Sequence, residues 1–281
     1  MAHVDLHLHT TYSDGTLSPE DVVATAAARG VTLIAITDHD EISGILPAQA
    51  AGPACGVEVL SGVEINTEVG REDVHVLGYG FPADSPVMHE GLRVLRESRL
   101  ERAMKMIARL EALGRPLDVE RVLAIAGHGS IGRPHLARAL VEAGHVPDIS
   151  TAFDKLIGNR CPAYVPRASY RPEEAIALIH RAGGFAGLAH PGKLGDPHRI
   201  IRRLLDAGLD ALEVYHSDHT PAVTERMKRL AERFNLLPTG GTDSHGPDGP
   251  RVVPIGAVPV PDEVGQAVLQ RVRACQEKGN F

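Results

Sequence analysis

With 281 residues, 43% hydrophobic and 23% charged, the chain has the composition of a soluble globular protein, long enough for one barrel-sized domain with or without an insertion. Its formal charge of −7 argues against a long, non-specific nucleic-acid footprint, and it contains no apolar run near the ~20 residues that span a bilayer. Three widely spaced cysteines (Cys55, Cys161, Cys275) offer neither a disulfide framework nor a CxxC pair, and no signal-peptide pattern precedes the first strand, so a cytoplasmic location without membrane contact is expected.

The chain opens on "VDLHLHTTYSDG", residues 4 to 15. As a β-strand it would project His7 and His9 to one face, with Val4, Leu6 and Leu8 on the other. Two adjacent imidazoles followed by Asp14 suit a cation better than an apolar core. "SPEDVVATAAARG" then reads as a helix with Ser18 as N-cap, Pro19 at its first position and Gly30 at its stop. The apolar run "VTLIAITDHD" follows, ending on Asp38 and His39. "EINTEVGREDVHVLGYG" breaks the alternation as a hairpin turning near Gly70, which brings Glu64 and His75 together.

Between residues 98 and 167 the helix–strand alternation lapses. Leu92, Leu95, Leu100, Met104, Ile107 and Leu110 form a helical stripe, shorter helices follow, and the next β-run is expected from about Tyr164. This segment reads as a small inserted helical domain over a barrel made of residues 1–97 and 168–281. Three further helix–glycine–strand units end on "FAGLAHPG", "LDALEVYHSD" and "LLPTGGTDSHG". About seven apolar strands alternating with helices predict an α/β fold, a distorted or incomplete (β/α) barrel with its site at the C-terminal strand ends.

Those strand ends carry His7, His9, Asp38, His39, Glu64, His190, His216, Asp243 and His245, with Asp14 and His75 beside them. Each alone is unremarkable; together they predict a multinuclear metal site. The donors are nitrogen and oxygen without sulfur, which suits Mn²⁺, Fe²⁺ or Zn²⁺, with Glu64 and Asp243 as bridging carboxylates.

The motifs "HLHTTYSDG", "ITDHD", "GVEIN" with "VHVLGYG", "LAHPG" and "GTDSHG", in this order along the chain, resemble the PHP (polymerase and histidinol phosphatase) family, which is related to the amidohydrolases. The resemblance implies a distorted (β/α)7 barrel holding two to three divalent metal ions, most often manganese. Carried onto this sequence, it implies His7, His9, Asp14, His39, Glu64, His75, His190, Asp243 and His245 as ligands, with Asp38 open between ligation and support of a ligand histidine. Within the inserted segment "GRPHLARAL" resembles a subgroup acting on nucleoside 3′,5′-bisphosphates, and adds Arg133 and His135 at a helix start suited to phosphate.

The expected reaction is release of the 3′-phosphate by a metal-activated hydroxide, with a small phosphorylated nucleotide as substrate and no stable protein partner. Asp14, Arg133, His135 and His216 are the expected catalytic residues; the last three also bind the substrate, and His135 or His216 protonates the leaving oxygen. Arg160 and Lys193 are weaker candidates for added positive charge. Alternatives are a 5′–3′ exonuclease on short 5′-phosphorylated oligonucleotides, a histidinol-phosphatase-like enzyme, and a non-catalytic metal-stabilised module.

Overall fold

The computed structural model describes residues 3–70, 72–127, 130–166 and 170–279. The expected domain boundary at 167/168 and the two chain termini lie outside the described residues.

A seven-stranded sheet runs in chain order: β1 (Val4–Leu8), β2 (Leu33–Ile36), β3 (Glu58–Val69), β4 (Glu72–Tyr79), β5 (Phe185–Leu188), β6 (Ala211–His216) and β7 (Leu237–Gly241). Neighbours pair in parallel except on both sides of β4, which runs backwards as the second arm of the hairpin at Gly70. Gly70, at φ +69°, takes the left-handed turn that a side chain would resist. The sheet closes on itself where the chain leaves β7: Asp243 N–H donates to His7 O at 2.9 Å, and His9 N–H donates to Ser244 O at 3.0 Å. At this seam Gly241 is obligatory, because a Cβ there would lie 2.4 Å from the His7 nitrogen. The expected distorted α/β barrel of seven strands is therefore the fold.

Short helices return the chain between strands, among them α2 (Ile45–Cys55), α7 (Pro172–Arg181), α8 (Pro197–Leu205) and α9 (Pro221–Phe234). In α1 (Pro19–Ala28) the Ser18 side chain accepts the Asp21 N–H, and Gly30 turns the chain at φ +74°, so both helix signals operate. Val22, Val23 and Ala26 of this helix join a core between helices and strands that includes Ile34, Ile36, Val63 and Leu188. The closing helix α10 (Asp262–Gly279) covers the sheet elsewhere, packing Val264, Val268 and Val272 against Val4, Leu6 and Phe185.

The helical segment is anchored by α3 (Pro86–Ala112), about 40 Å long at 1.5 Å per residue. Its first turns put Met88, Leu92 and Leu95 into the barrel core. Its last turns put Ala103, Met106, Ile107 and Leu110 into a second core, shared with α4 (Val119–Ala126), α5 (Arg133–Glu142), α6 (Ile149–Ala152) and the π turn Phe153–Ile157. Residues 97 and 98 fall inside this one helix, so the two cores are joined by a helix that serves both. The apolar stripe rolls around the helix between them, which leaves Leu100 and Met104 exposed, contrary to the expected stripe. No strand forms at Tyr164 either. Pro162 and Pro166 bracket that run, and its carbonyls at Tyr164 and Val165 are taken by Arg109 and Arg102 rather than by a neighbouring strand. No described helix is long and apolar enough to cross a membrane.

Candidate metal centre

At the barrel mouth the strand ends converge on one buried space. His7 Nε2 and His9 Nε2 each lie 3.3 Å from Glu64 Oε2, and His9 Nε2 lies 3.2 Å and His7 Nε2 3.5 Å from Asp243 Oδ1. On the hairpin side, Glu64 Oε1 is 2.7 Å from His75 Nδ1 and 2.9 Å from His190 Nε2. On the other side, Asp14 Oδ1 lies 3.2 Å from His245 Nε2 and 3.9 Å from His39 Nε2, whose Nδ1 is 3.0 Å from Glu64 Oε2. The structure thus brings together His7, His9, Asp14, His39, Glu64, His75, His190, Asp243 and His245.

These separations match a cation. Ligands bonded at ~2.0–2.2 Å around a tetrahedral ion stand roughly 3.3–3.6 Å apart, the spacing found among the inner donors. His7 Nε2, His9 Nε2, Asp14 Oδ1, Glu64 Oε2, His75 Nε2 and His216 Nε2 are all buried without a hydrogen-bond partner. Leaving such atoms unsatisfied costs about 1–3 kcal/mol each. The donor set therefore fits divalent cations, and the backbone is bent to serve it: His190 and Asp243 adopt φ +29° and +55° where their strands end.

Burial opposes charge throughout this space, but the groups are arranged to overcome it. Burial pushes the Glu64 carboxyl up, yet His39, His75 and His7 outweigh it and hold the group well below its ordinary range. Asp14, facing His245 and His39, and Asp243, facing His7, are held low against burial in the same way. Burial, outweighing the pull of Glu64 and helped by nearby positive groups, brings His39 and His190 down to about 4, so both are neutral at pH 7 and free to ligate. For His9, burial lowers the pKa, but its contacts to Asp243 and Glu64 prevail and raise it to about 10.

Several polar groups hold the donors from behind. Glu213 is fully buried, accepts from His7 Nδ1 at 2.8 Å and from His190 N–H at 2.5 Å, and so turns His7 Nε2 toward the centre. Burial raises its carboxyl, but His7 and His216 bring it down to about 2. Sequence reasoning missed it; the available signal was a lone carboxylate inside the apolar run "ALEVYH". Asp38, left open by the sequence, has both oxygens occupied, by Thr10 N–H and Ser13 Oγ–H on one and Thr10 Oγ1–H on the other. It secures the Asp14 loop and, through Ser13 Oγ at 3.4 Å from His9 Nδ1, stands behind a donor histidine.

Two expected substrate contacts sit elsewhere. His216 is buried among the donors: its Nδ1 accepts Asp218 N–H at 3.0 Å and its Nε2 lies 3.4 Å from Asp243 Oδ2. A register irregularity between Glu213 and Tyr215 lets Glu213 and His216, three residues apart, both turn to this side, which simple alternation forbids. His135 folds back on its own helix start, accepting Gly132 N–H on Nδ1 at 2.9 Å, and is 1% exposed. Neither ring is part of the lining of the open pocket above the donors.

The open pocket above the donors, about 470 Å³, is lined by Arg133, Lys193 and Arg251 as its cations. Arg133 is held by Asn159 Oδ1 at 2.9 Å and lies over the Phe153 and Tyr164 rings, 5.6 and 5.7 Å from their centroids. Lys193 Nζ is 2.9 Å from Asp218 Oδ2; Arg251 donates to Asp218 Oδ1 at 2.8 Å and sets its Nε 3.0 Å from Asp243 Oδ2. Arg251 was not anticipated, for nothing in "SHGPDGPR" marks it. Arg160 is exposed and absent from the lining.

A family model described as PHP domain matches residues 5–111. A 3′,5′-nucleoside bisphosphate phosphatase of Chromobacterium violaceum is 38% identical over 252 residues, 88% of either chain. A 5′-3′ exoribonuclease of Haemophilus influenzae is 35% identical over 249 residues, 87% of this chain and 90% of its own. A solved structure from Bifidobacterium adolescentis, assigned as a metal-dependent phosphoesterase, superposes with a TM-score of 0.86 at 33% identity, covering 95% of this chain and 96% of its own.

Proposed function

Since this chain belongs to the PHP family, we propose that it is a metal-dependent phosphatase that removes the 3′-phosphate of nucleoside 3′,5′-bisphosphates and leaves the 5′-monophosphate. The observation that carries this reading is a set of buried, unpartnered nitrogen and oxygen donors lying beneath a cationic rim. The 38% identity to a bisphosphate phosphatase supports the choice of substrate.

Two to three cations are assigned to the donors, Mn²⁺ first with Fe²⁺ or Zn²⁺ as alternatives, because every donor is nitrogen or oxygen. His7, His9, Glu64 and Asp243 would hold one, Asp14, His39 and His245 with His9 a second, and His75 and His190 with Glu64 a third. Bound there, divalent cations would lower the pKa of water to around 7 and offset charge on the phosphoryl oxygens. Glu64, reached by histidines on both of its oxygens, would serve more than one of these cations. Lys193 and Arg251, beside Asp243, would hold the phosphoryl group that is transferred. Arg133, which feels the charge of hairpin residue Asp73, would hold the phosphate that is kept. His216 is reassigned from substrate contact to the donor cluster. Segment 98–167 is the cap that delivers Arg133 to the mouth.

The test offers manganese-loaded protein adenosine 3′,5′-bisphosphate and, separately, a 5′-phosphorylated pentanucleotide. Phosphate released from the first, abolished by chelator and restored by Mn²⁺, is expected. Efficient mononucleotide ladders from the second, with little phosphate from the first, would favour the exonuclease reading that the 35% identity to an exoribonuclease keeps in view.

A further inference from the structure

Asp14 differs from the other donors in standing on a loop, five residues beyond His9, rather than on a strand or where one ends. Its carboxylate is only as well placed as that loop. The barrel holds one side of it, through Asp38 on Thr10 and Ser13. Past Asp14, Thr16 N–H donates to His245 O at 2.9 Å, and between these barrel anchors the loop is held from the helical insertion. Ser130 N–H donates to Tyr12 O at 3.0 Å, the buried His135 ring meets the Ser13 backbone, and Arg138 Nη2 donates to Asp14 O at 3.4 Å. The start of α5 is itself fixed to the barrel by Arg99, whose Nε lies 2.5 Å from Asp40 Oδ2 and whose Nη1 donates to Ile131 O at 3.3 Å. His135 cannot swing away, because Gly132 N–H pins its Nδ1.

We propose that helix α5 fixes the Asp14 carboxylate, with Arg138 and His135 as positioning residues for the cation subsite of Asp14, His39 and His245. The same helix begins at Arg133, so one rigid element both faces the substrate and sets a metal ligand. This inference rests on the metal-hydrolase reading above. It assigns the insertion a role in building the site as well as covering it.

Arg138 is half-buried, so Arg138→Met removes the contact with little disturbance of the core; His135→Gln is its companion. Chelator-stripped protein is titrated with Mn²⁺, and metal retained after desalting is counted by elemental analysis. Both variants are expected to retain one equivalent fewer than the unaltered chain, with the midpoint for that equivalent raised about 10–100-fold, as for loss of a ligand's supporting contact. The tighter equivalents should be unchanged, Arg138→Lys should restore the lost one, and excess Mn²⁺ should recover kcat at constant KM. Variants that keep every equivalent at unaltered midpoints, or that lose all equivalents together, overturn the proposal. An unaltered chain that binds no Mn²⁺ would instead sink the metal-hydrolase reading itself.

Discussion

The core of the helical insertion and the barrel mouth are both buried, yet they are held by opposite chemistry. In the insertion, Leu110, Val122, Leu140 and Ile157 fill space with apolar side chains that satisfy one another by contact alone. At the mouth the buried atoms are imidazole nitrogens and carboxylate oxygens, and many lack a hydrogen-bond partner. The first region is complete as a folded chain; the second is complete only with something bound. Stability in the insertion should therefore be indifferent to metal, while stability at the mouth should follow it.

The hardest way to break this contrast is at Glu64, which faces His7, His9, His39, His75 and His190. Glu64→Gln keeps the shape and removes the charge that several imidazoles share. Turnover on adenosine 3′,5′-bisphosphate is expected to fall about a thousandfold or more, some 4 kcal/mol of transition-state stabilisation, together with retained Mn²⁺. A variant that keeps full metal content and near-normal turnover would mean that Glu64 bridges nothing.

Metal and pH together sharpen the contrast next. Without a cation, folded His9 keeps its proton up to about pH 10, whereas an unfolded histidine loses it near 6.5. The folded state binds more protons between those values, so this stability is fully present below pH 6.5 and is lost toward pH 10. His39 and His190, held at about 4, act oppositely at lower pH: the unfolded chain takes protons that they refuse, and stability rises from pH 4 to 6.5. Melting of the stripped protein should thus peak near pH 6.5–7. Mn²⁺ at about a thousand times its Kd should add about 4 kcal/mol, roughly 10 °C, and the increment should grow with pH because Mn²⁺ displaces the His9 proton. An increment that shrinks as pH rises would contradict this.

The insertion supplies the control. Leu110 is wholly buried, so Leu110→Ala should cost about 2–5 kcal/mol in denaturant unfolding. That cost should be the same with and without Mn²⁺. If added Mn²⁺ erased it, the two regions would not be energetically distinct.

The two regions were also unequally legible in the sequence. The donors could be read because β-runs end in histidine or carboxylate at every turn of a repeating pattern, and that pattern fixes where strand ends go. Orientation was less visible. Whether His216 faces substrate or its fellow donors depends on the irregularity in β6, and Glu213 is hidden by the same break in alternation. His135 looked like a phosphate contact by its place at a helix start, but the Gly132 N–H captured its ring. In the insertion, periodicity announced a helix correctly yet put Leu100 and Met104 on one stripe with residues that are buried, since a single stripe cannot describe a helix that changes partners midway. The apolar letters around Tyr164 suggested a strand that the flanking prolines and two arginines on its carbonyls prevent.

The smallest effect is expected where the two regions meet, at Arg133. It belongs to the insertion by chain position and to the mouth by the direction of its side chain. It stands apart from Lys193 and Arg251, which approach Asp243 to 3.7 and 3.0 Å, so it should grip the phosphate that is not cleaved. A charge-assisted contact of that kind is worth about 1.5–3 kcal/mol, roughly 10–150-fold in binding. Arg133→Met should therefore raise KM for the 3′,5′-bisphosphate by that factor with kcat little changed, because the interaction is the same in the ground and transition states. A nucleoside 3′-monophosphate has no second phosphate to lose, and its kcat/KM should barely move. If both substrates lose equally, Arg133 serves the transferred group instead, and the insertion reaches further into the chemistry than a cap would.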